Sequence, residues 1–302
     1  MRVTDQMMVE STLQNLWANE TRMQTIENQL TSGKKLSQIS DNPQDGAQAL
    51  TVQSSIAQTD QFVRNVNAGQ AWLGATDNAL SGVDQAVIRA QELAVEGAND
   101  TLNASDRQGM ASEVDGLIGQ AVQMGNGTYS GSYLFNGAET TSAPFSYNGT
   151  AITYSNSDPT SATTALNRLI APGTTVQVNT IGHNPTTNNG VFDTVFNSLL
   201  GLKQALLNDS TGQIQASITQ LQSAQQQVVG ERESVGARTN QVTAMGAQLT
   251  NLQTRLATTQ SNLEDADIVQ ASTDYAQASL VQQAGLAATA KALPPSLFNY
   301  LA

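Results

Sequence analysis

The chain has 302 residues, a formal net charge of −12 and a pI near 4.3. Because phosphate binding requires clustered Lys and Arg, this acidic balance argues against a nucleic-acid partner. The absence of cysteine excludes disulfides and thiolate catalysis, and an aromatic content of 5% is low for a globular enzyme.

The first forty residues predict a helix that ends before Asn42-Pro43. Its apolar column has one member in every seven residues: Val9, Leu16, Met23 and Leu30. Asn42 is suited to an N-cap and Pro43 to the first helical position, so a longer helix is predicted over residues 43–98. The heptad column of this second helix comprises Val52, Thr59, Val66, Leu73, Leu80, Val87 and Ala94.

The middle of the chain changes from helical to strand patterns. Ser105 and Gln108 have the spacing of a capping box, which predicts the start of another helix. Residues 129–189 then alternate strand and turn signals, with a two-residue hairpin turn predicted within Tyr147-Asn148-Gly149-Thr150 and a strand over residues 174–181. This block predicts a small β-rich domain.

The most regular pattern of the chain follows this block. Ser210 with Gln213 predicts the start of the longest helix. Its heptad column is Ile214, Leu221, Val228, Val235, Val242, Leu249, Leu256 and Leu263. A strict seven-residue repeat favours a left-handed supercoil with a partner helix. The column of residues 52–94 is the predicted partner, and the two helices should run antiparallel because the inserted block reverses the chain.

Polar residues occupy part of the same seam at Gln225, Gln253 and Gln260. Two interpretations stay open at this point. These side chains contact neighbouring copies in an assembly, where polar seam residues fix the register of helices, or they only weaken a hairpin within one chain.

The last predicted helix covers about residues 266–293 and ends at Pro294-Pro295. The predicted fold is mainly α, an elongated nested antiparallel coiled-coil rod with a small inserted β-rich domain. Three domains are expected: a terminal helical domain that is disordered until assembly (1–42 plus 265–302), a helical rod domain (43–128 plus 191–264) and the β-rich domain (129–190).

The sequence predicts no catalytic, cofactor-binding or metal-binding residues. The lone His183 lies among Gly, Asn, Pro and Thr, which indicates an exposed loop histidine. Glu264, Asp265 and Asp267 could bind a cation, but a helix boundary is the better interpretation because acids favour the helix N-terminus that follows. Neither a transmembrane helix nor a cleavable signal peptide is expected, so export would not use the general secretory route.

Short blocks near both ends are more specific than the heptads. The N-terminal blocks are Leu30-Thr31-Ser32-Gly33-Lys34-Lys35-Leu36 with Ser40-Asp41-Asn42-Pro43, and residues 89–99 with Ser105-Asp106-Arg107. The C-terminal blocks are Leu263-Glu264-Asp265-Ala266-Asp267 and Gln282-Gln283-Ala284. Together they resemble the bacterial flagellin family, although Asn42 stands where that family has Asp. The first eight residues and Tyr133-Leu134-Phe135-Asn136-Gly137 are similar to those members that join the flagellar hook to the filament.

The resemblance implies a structural adaptor between hook and filament that performs no chemistry. It implies export of the unfolded chain through the flagellar secretion channel and a location outside the cell at the hook-filament junction. The implied partners are further copies of the chain, the first hook-associated protein, filament flagellin and an export chaperone. No nucleic acid or membrane insertion is expected.

Three sets of apolar residues are predicted to carry these contacts. Rod or subunit packing is assigned to Val52, Val66, Leu73, Leu80, Val87, Leu221, Val228, Val235, Val242, Leu249 and Leu256. Assembly of the terminal helix is assigned to Val9, Leu16, Met23 and Leu30. The chaperone contact is assigned to Val281, Leu286, Leu293, Leu297 and Phe298.

Two alternative functions stay open. Filament flagellin, from the same family, would polymerise on its own in the purified state. A signalling coiled-coil protein, from a different class, would be distinguished by a transmembrane segment. An enzyme is the weakest alternative because no constellation of acid, base, metal ligand or nucleophile is found.

Overall fold

The computed structural model describes the backbone of residues 2–38, 40–155 and 158–292, and the side chains of 7, 10–38, 40–155 and 158–290. The fold is mainly α with a small strand-containing region, which confirms the predicted class. The chain forms two compact units. The terminal unit is Met1–Gln58 with Leu252–Ala302, and the central unit is Thr59–Asn251. The predicted division into three domains stays a prediction.

The elements follow in chain order. The helices are α1 (Arg2–Ser32), α2 (Pro43–Gly97), α3 (Ala104–Gly125), α4 (Pro159–Thr163), α5 (Val191–Leu207), α6 (Thr211–Glu264) and α7 (Ile268–Ala292). The strands are β1 (Thr128–Tyr129), β2 (Ser132–Tyr133), β3 (Phe145–Tyr147), β4 (Ile152–Tyr154), β5 (Asn167–Ala171) and β6 (Thr174–Gln177). None of these described helices is long and apolar enough to cross a membrane.

In the terminal unit, α1 and α7 form an antiparallel pair. Asn19 in the middle of α1 contacts Ala278, whereas Lys34 just beyond the end of α1 pairs with Asp265 just before α7. Among the described residues of this unit, the buried apolar side chains are few and mostly small: Leu16, Ile26, Ala49, Ala271 and Ala278. The pair therefore buries only a narrow stripe of each helix.

In the central unit, α2 and α6 run antiparallel, as predicted. Gln91, late in α2, contacts Gln225 early in α6, and Gln70, earlier in α2, contacts Thr243 later in α6. Both heptad columns are buried throughout this unit: Thr59, Val66, Leu73, Leu80, Val87 and Ala94 on α2, and Ile214, Leu221, Val228, Val235, Val242 and Leu249 on α6. Each buried Val, Leu or Ile contributes about 1.5–3 kcal/mol, so these columns dominate the core.

A phenylalanine cluster extends this core into the strand region. Phe135, Phe145, Phe192 and Phe196 are all buried, and the Phe145 ring centroid lies 5.1 Å from those of Phe192 and Phe196. A Cβ atom on Gly125, the last residue of α3, would lie 2.7 Å from Phe145 Cδ2. Only glycine therefore allows the end of α3 to approach the ring.

Within the described residues, the β-rich region consists of three antiparallel hairpins, β1–β2, β3–β4 and β5–β6. The hairpin predicted around residue 148 is present, but the predicted two-residue turn is wrong. Tyr147 pairs with Ile152, so four residues connect the strands. Asn148 Oδ1 accepts hydrogen bonds from the N–H groups of Thr150 and Ala151 at 2.9 and 2.8 Å, and these bonds close the wider loop.

The predicted strand of residues 174–181 ends earlier than expected, because β6 stops at Gln177. Asn179 then turns its side chain back toward the preceding hairpin arm. Its Oδ1 accepts from the Leu166 N–H at 2.8 Å and its Nδ2 donates to the Thr164 carbonyl oxygen at 2.9 Å. These side-chain bonds replace the ladder bonds of a longer strand.

The helix starts show one confirmed and one wrong prediction. Asn42 Oδ1 accepts from the Gln44 N–H at 3.1 Å, which confirms the cap of α2. The cap of α3 lies two residues earlier than predicted, at Asn103. Asn103 Oδ1 accepts from the Asp106 N–H at 3.0 Å, and Asp106 Oδ2 accepts from the Asn103 N–H at 3.3 Å. An Asp at the third helical position thus serves as well as Glu or Gln.

The prediction of an exposed His183 is wrong. Its side chain is 11% exposed, its Nδ1 lies 2.5 Å from Asp193 Oδ1, and its ring stacks on Tyr154 at 3.8 Å. Asp193 is buried and also accepts from the N–H groups of Asn184 at 3.0 Å and Gly190 at 2.8 Å. Burial raises the pKa of Tyr154 above its usual value, with a further increase from the Asp193 carboxylate.

Candidate assembly site

The interface between α1 and α7 is closely packed. Leu16 is buried, and a Cβ atom on Gly285 would lie 2.7 Å from Leu16 Cδ2, so the two helices approach closely at this point. Nearby, Asn19 Nδ2 donates to the Ala278 carbonyl oxygen at 2.9 Å and to Gln282 Oε1 at 3.0 Å. A polar side chain with two acceptors in an apolar seam specifies the register of the pair.

Two backbone hydrogen bonds and one ion pair join the end of α1 to the segment before α7. Lys35 N–H donates to the Glu264 carbonyl oxygen at 2.8 Å, and Ala266 N–H donates to the Gly33 carbonyl oxygen at 2.9 Å. Lys34 Nζ donates to Glu264 Oε2 at 2.7 Å, which raises the pKa of Lys34 and lowers the pKa of Glu264. Because Lys34 is half exposed, this ion pair adds little to stability beyond the backbone bonds.

The acidic residues of this segment act at a helix boundary, as predicted. Asp267 Oδ1 accepts from the N–H groups of Val269 at 3.0 Å and Gln270 at 3.1 Å, so it caps α7. Glu264 is engaged by Lys34. Over the part of the chain that the structure describes, no group of three or more His, Asp or Glu side chains is placed to hold a metal ion.

Large apolar side chains also lie on the outside of both terminal helices. Leu13 and Trp17 are one turn apart on α1 and are 39% and 64% exposed. Val269 and Leu280 are about three turns apart on α7 and are 78% and 67% exposed. We call these four residues the outer apolar positions. Contiguous exposed apolar side chains indicate an interaction surface, and Leu13 with Trp17 forms such a pair because residues four apart are neighbours on a helix.

Charged and amide side chains pair across the seam of the central unit. Arg232 Nε donates to Asp77 Oδ1 at 2.9 Å, and its Nη1 lies 3.7 Å from Asp84 Oδ2. The hydrogen bond with Asp77 raises the pKa of Arg232. Gln91 Nε2 donates to Gln225 Oε1 at 3.0 Å. The polar residues of one helix therefore face polar residues of the other.

The predicted packing residues lie along the seam. Val66, Leu73, Leu80, Val87, Leu221, Val228, Val235, Val242 and Leu249 are buried, whereas Val52 and Leu256 are half-buried. In the predicted assembly set, Leu16 is buried against α7 and Met23 and Leu30 are half-buried. The side chain of Val9 lies outside the described residues.

The predicted chaperone set is only partly described. Val281 is 52% exposed and Leu286 is 55% exposed. Leu293, Leu297 and Phe298 lie outside the described residues. The assembly and chaperone roles of all these residues stay predictions.

The sequence pattern did not predict the outer apolar positions, because Leu13 and Trp17 lie off the heptad column of α1 and the last helix shows no such column. A signal was present nevertheless. Leu13 and Trp17 are four residues apart, which places two large apolar side chains side by side on the helix, away from its heptad column.

Two family descriptions match this chain. Residues 3–140 match the bacterial flagellin N-terminal helical region, and residues 218–301 match the bacterial flagellin C-terminal helical region. Together these matches cover well over half of the chain. The chain belongs to the bacterial flagellin family. Proteins of this family are structural parts of the flagellum and not known as enzymes. In this flagellin-type chain, β3 to β6 and α5 lie between the two matched regions.

Named relatives match part of the chain. Flagellar hook-associated protein 3 of Salmonella typhimurium is 30% identical over 146 residues, which cover 48% of this chain and 46% of the relative. The Escherichia coli protein of the same name is 30% identical over 147 residues with the same coverage. The chain thus spans about half the length of the curated relatives it matches.

Solved structures share the fold over a longer stretch. Bacillus cereus FlgL has a TM-score of 0.59 at 20% identity and covers 70% of this chain and 98% of its own. The flagellar junction protein FlgL from Legionella pneumophila has a TM-score of 0.52 at 15% identity, covering 72% of this chain and all of its own. At these identities the likeness extends to the fold alone.

Proposed function

We propose that this chain is a structural subunit that joins the flagellar hook to the filament and assembles through its terminal helices. The observation that carries the proposal is the exposure of Trp17 and Leu280 on a helix pair that already buries its inner stripe. Membership in the flagellin family and the names of the relatives support a place in the flagellum.

In this proposal the two sides of the terminal helices have different contacts. Leu16, Met23 and Leu30 hold α1 against α7 within one chain, while the outer apolar positions contact neighbouring copies. The first hook-associated protein on one side and filament flagellin on the other are the proposed partners in the axial direction. The proposed location is outside the cell, reached without cleavage of a signal peptide.

Electron microscopy of cells that lack the gene for this chain tests the proposal, because such cells should carry hooks without filaments. Complementation with the Trp17→Asp or Leu280→Asp variant should leave hooks bare and release the variant into the medium. The matched control is Gln14→Asp, which places the same charge at an exposed polar position of α1 and should restore filaments. Normal filaments with either charged variant would contradict the proposed surface.

A second experiment separates a junction subunit from filament flagellin. The purified full-length chain should stay monomeric or form limited layers in analytical ultracentrifugation. Spontaneous growth of long filaments from the purified chain alone would assign it to filament flagellin instead.

An export chaperone is proposed to bind α7 before assembly. Val281 and Leu286 support this proposal because both are large apolar side chains that stay more than half exposed on α7. The Val281→Asp and Leu286→Asp variants should accumulate in the cell and be scarce in the medium, whereas Gln283→Asp, a control at an exposed position of the same helix, should be exported normally. Normal secretion of both variants would contradict the contact.

A further inference from the structure

A cleft of about 350 Å³ lies in the central unit between α2 and the β5–β6 hairpin. Its walls are formed by Asn65, Trp72, Leu166, Asn167, Arg168, Leu169 and Val178. Asn65 joins the two walls, because its Nδ2 donates to the Leu169 carbonyl oxygen at 2.7 Å while its Oδ1 accepts from Gln61 Nε2 at 3.0 Å. The volume falls in the range of small-molecule sites.

Two residues of the walls each carry a buried N–H group that lacks an acceptor among the described residues. Trp72 Nε1 and Arg168 Nε are both buried, and neither has a hydrogen-bond partner among the residues that the structure describes. Trp72 is 4% exposed, and its ring packs edge-to-face with the ring of Tyr129, with 6.1 Å between the ring centroids. Buried indole N–H groups normally find an acceptor, so two unpaired donors in one cleft indicate a missing acceptor.

The charge of Arg168 defines the kind of acceptor. The residue lies in β5 opposite Val176, is half-buried, and forms no ion pair with any described residue although the chain has 25 acidic residues. A guanidinium stays protonated, and a partly buried cation is stabilised by an anion with matching geometry. Its planar set of donors fits the two oxygens of a carboxylate.

We propose that this cleft binds a carboxylate against Arg168, with an attached apolar group that packs on the aliphatic wall. That wall consists of Leu166, Leu169 and Val178, and Leu169 is 43% exposed at the rim. A phosphate is a poorer fit because Arg168 is the one charged residue among those that line the cleft, beside three aliphatic residues. The same chemistry is available from a free small acid or from an Asp or Glu side chain of another copy, and the experiment distinguishes these sources.

The test uses Trp72 as the reporter, since the chain has two tryptophans and a Trp17→Phe variant leaves Trp72 alone. The full chain with this substitution is labelled with ¹⁵N at the indole and titrated with sodium 4-phenylbutyrate. The neutral 4-phenylbutyramide has the same apolar group and serves as the matched probe. We expect a saturable shift of the indole resonance with the acid and at least about tenfold weaker binding of the amide.

The Arg168→Gln variant should bind the acid at least about tenfold more weakly, and Arg168→Lys should recover part of the loss. The control Arg64→Gln removes an exposed guanidinium from the neighbouring turn of α2 and should leave binding unchanged. The position of the indole resonance without the acid, together with far-UV circular dichroism, shows that each variant is folded.

Dilution of the parent chain without any probe identifies the source of the carboxylate. An indole resonance that moves with protein concentration in the parent, but not in Arg168→Gln, assigns the acceptor to another copy. A resonance that is independent of concentration but saturates with the acid assigns it to a small ligand. Equal binding of acid and amide, undiminished binding by Arg168→Gln, or a resonance that neither probe nor concentration moves would overturn the proposal.

Discussion

Replacement of Arg107 by alanine should destabilise the central unit by about 3–6 kcal/mol. The Arg107 side chain is 5% exposed and donates from Nε to the Gly97 carbonyl oxygen and from Nη2 to the Asn99 carbonyl oxygen, both at 2.9 Å. Its Nη1 also bonds Asp209 Oδ1. One guanidinium therefore holds the end of α2, the loop that follows it and the turn between α5 and α6.

The magnitude follows from these three bonds. Each bond from a charged donor contributes about 1.5–3 kcal/mol, and the two carbonyl oxygens would be left without that donor. Asp209 is 45% exposed, so water can replace its bond and its share is small. The two backbone bonds alone give about 3–6 kcal/mol, and the expected loss rests on them.

Urea unfolding followed by Trp72 fluorescence, in the Trp17→Phe background, measures this loss in the unit that contains Arg107. The control is Arg89→Ala, because Arg89 is 47% exposed and pairs with Glu92 and Glu113 at the surface. We expect that control to change stability by less than about 1 kcal/mol. A loss of less than about 1 kcal/mol for Arg107→Ala, with an unchanged denaturant slope, would refute the role of the three bonds.

Three further changes test other parts of the structure. Leu221→Ala removes a fully buried seam residue and should destabilise the central unit by about 2–5 kcal/mol in the same assay. Gly137→Ala should destabilise it by more than about 1 kcal/mol, since φ is +62° and a Cβ would lie 2.2 Å from the Ser161 carbonyl oxygen. Asp115→Asn should lower stability at pH 7, and the difference from the parent should shrink as the pH falls into the acid range, because the hydrogen bond from Lys203 holds the pKa of Asp115 below its usual value.

Each of these changes has a matched comparison. Val229→Ala, at 38% exposure on the same helix, should stay within about 0.5 kcal/mol of the parent. Gly149→Ala, at a φ of +87° with no described atom within 4 Å of the added methyl group, should cost less than Gly137→Ala. The Asp115 contribution exists above the unfolded pKa and is lost as pH falls through the lower folded pKa. A gap between parent and Asp115→Asn that widens in acid would contradict this sign.

The long helices and their pairing could be predicted because a heptad column reports one face of a helix without knowledge of its partner. Leu73, Leu80, Leu221 and Val228 were assigned to the seam from spacing alone, and all four are buried. The antiparallel direction followed from an insertion that reverses the chain. Both inferences use only distances along the sequence, which a repeat of seven encodes directly.

Side-chain clusters could not be predicted in the same way because their members come from different elements. His183 is largely shielded from solvent because Asp193 at the start of α5 and Tyr154 in β4 contact it. The unpaired donors of Trp72 and Arg168 share a cleft although one lies in α2 and the other in β5. The order of residue types along the chain does not show which side chains of different elements are in contact. Those contacts depend on how the hairpins pack on the helices.

The polar residues of the seam help to set the register of α6 against α2. Displacing α6 by one heptad along α2 would again match apolar with apolar, because both columns repeat every seven residues. It would, however, leave Arg232 beside only one of Asp77 and Asp84, which now contact it from either side, and it would separate Gln225 from Gln91. The polar pairs therefore distinguish the observed register from its neighbours, as polar seam residues do in coiled coils. Since Gln225 is already hydrogen-bonded within the chain, the search for contacts between copies is better directed at the outer apolar positions of the terminal unit.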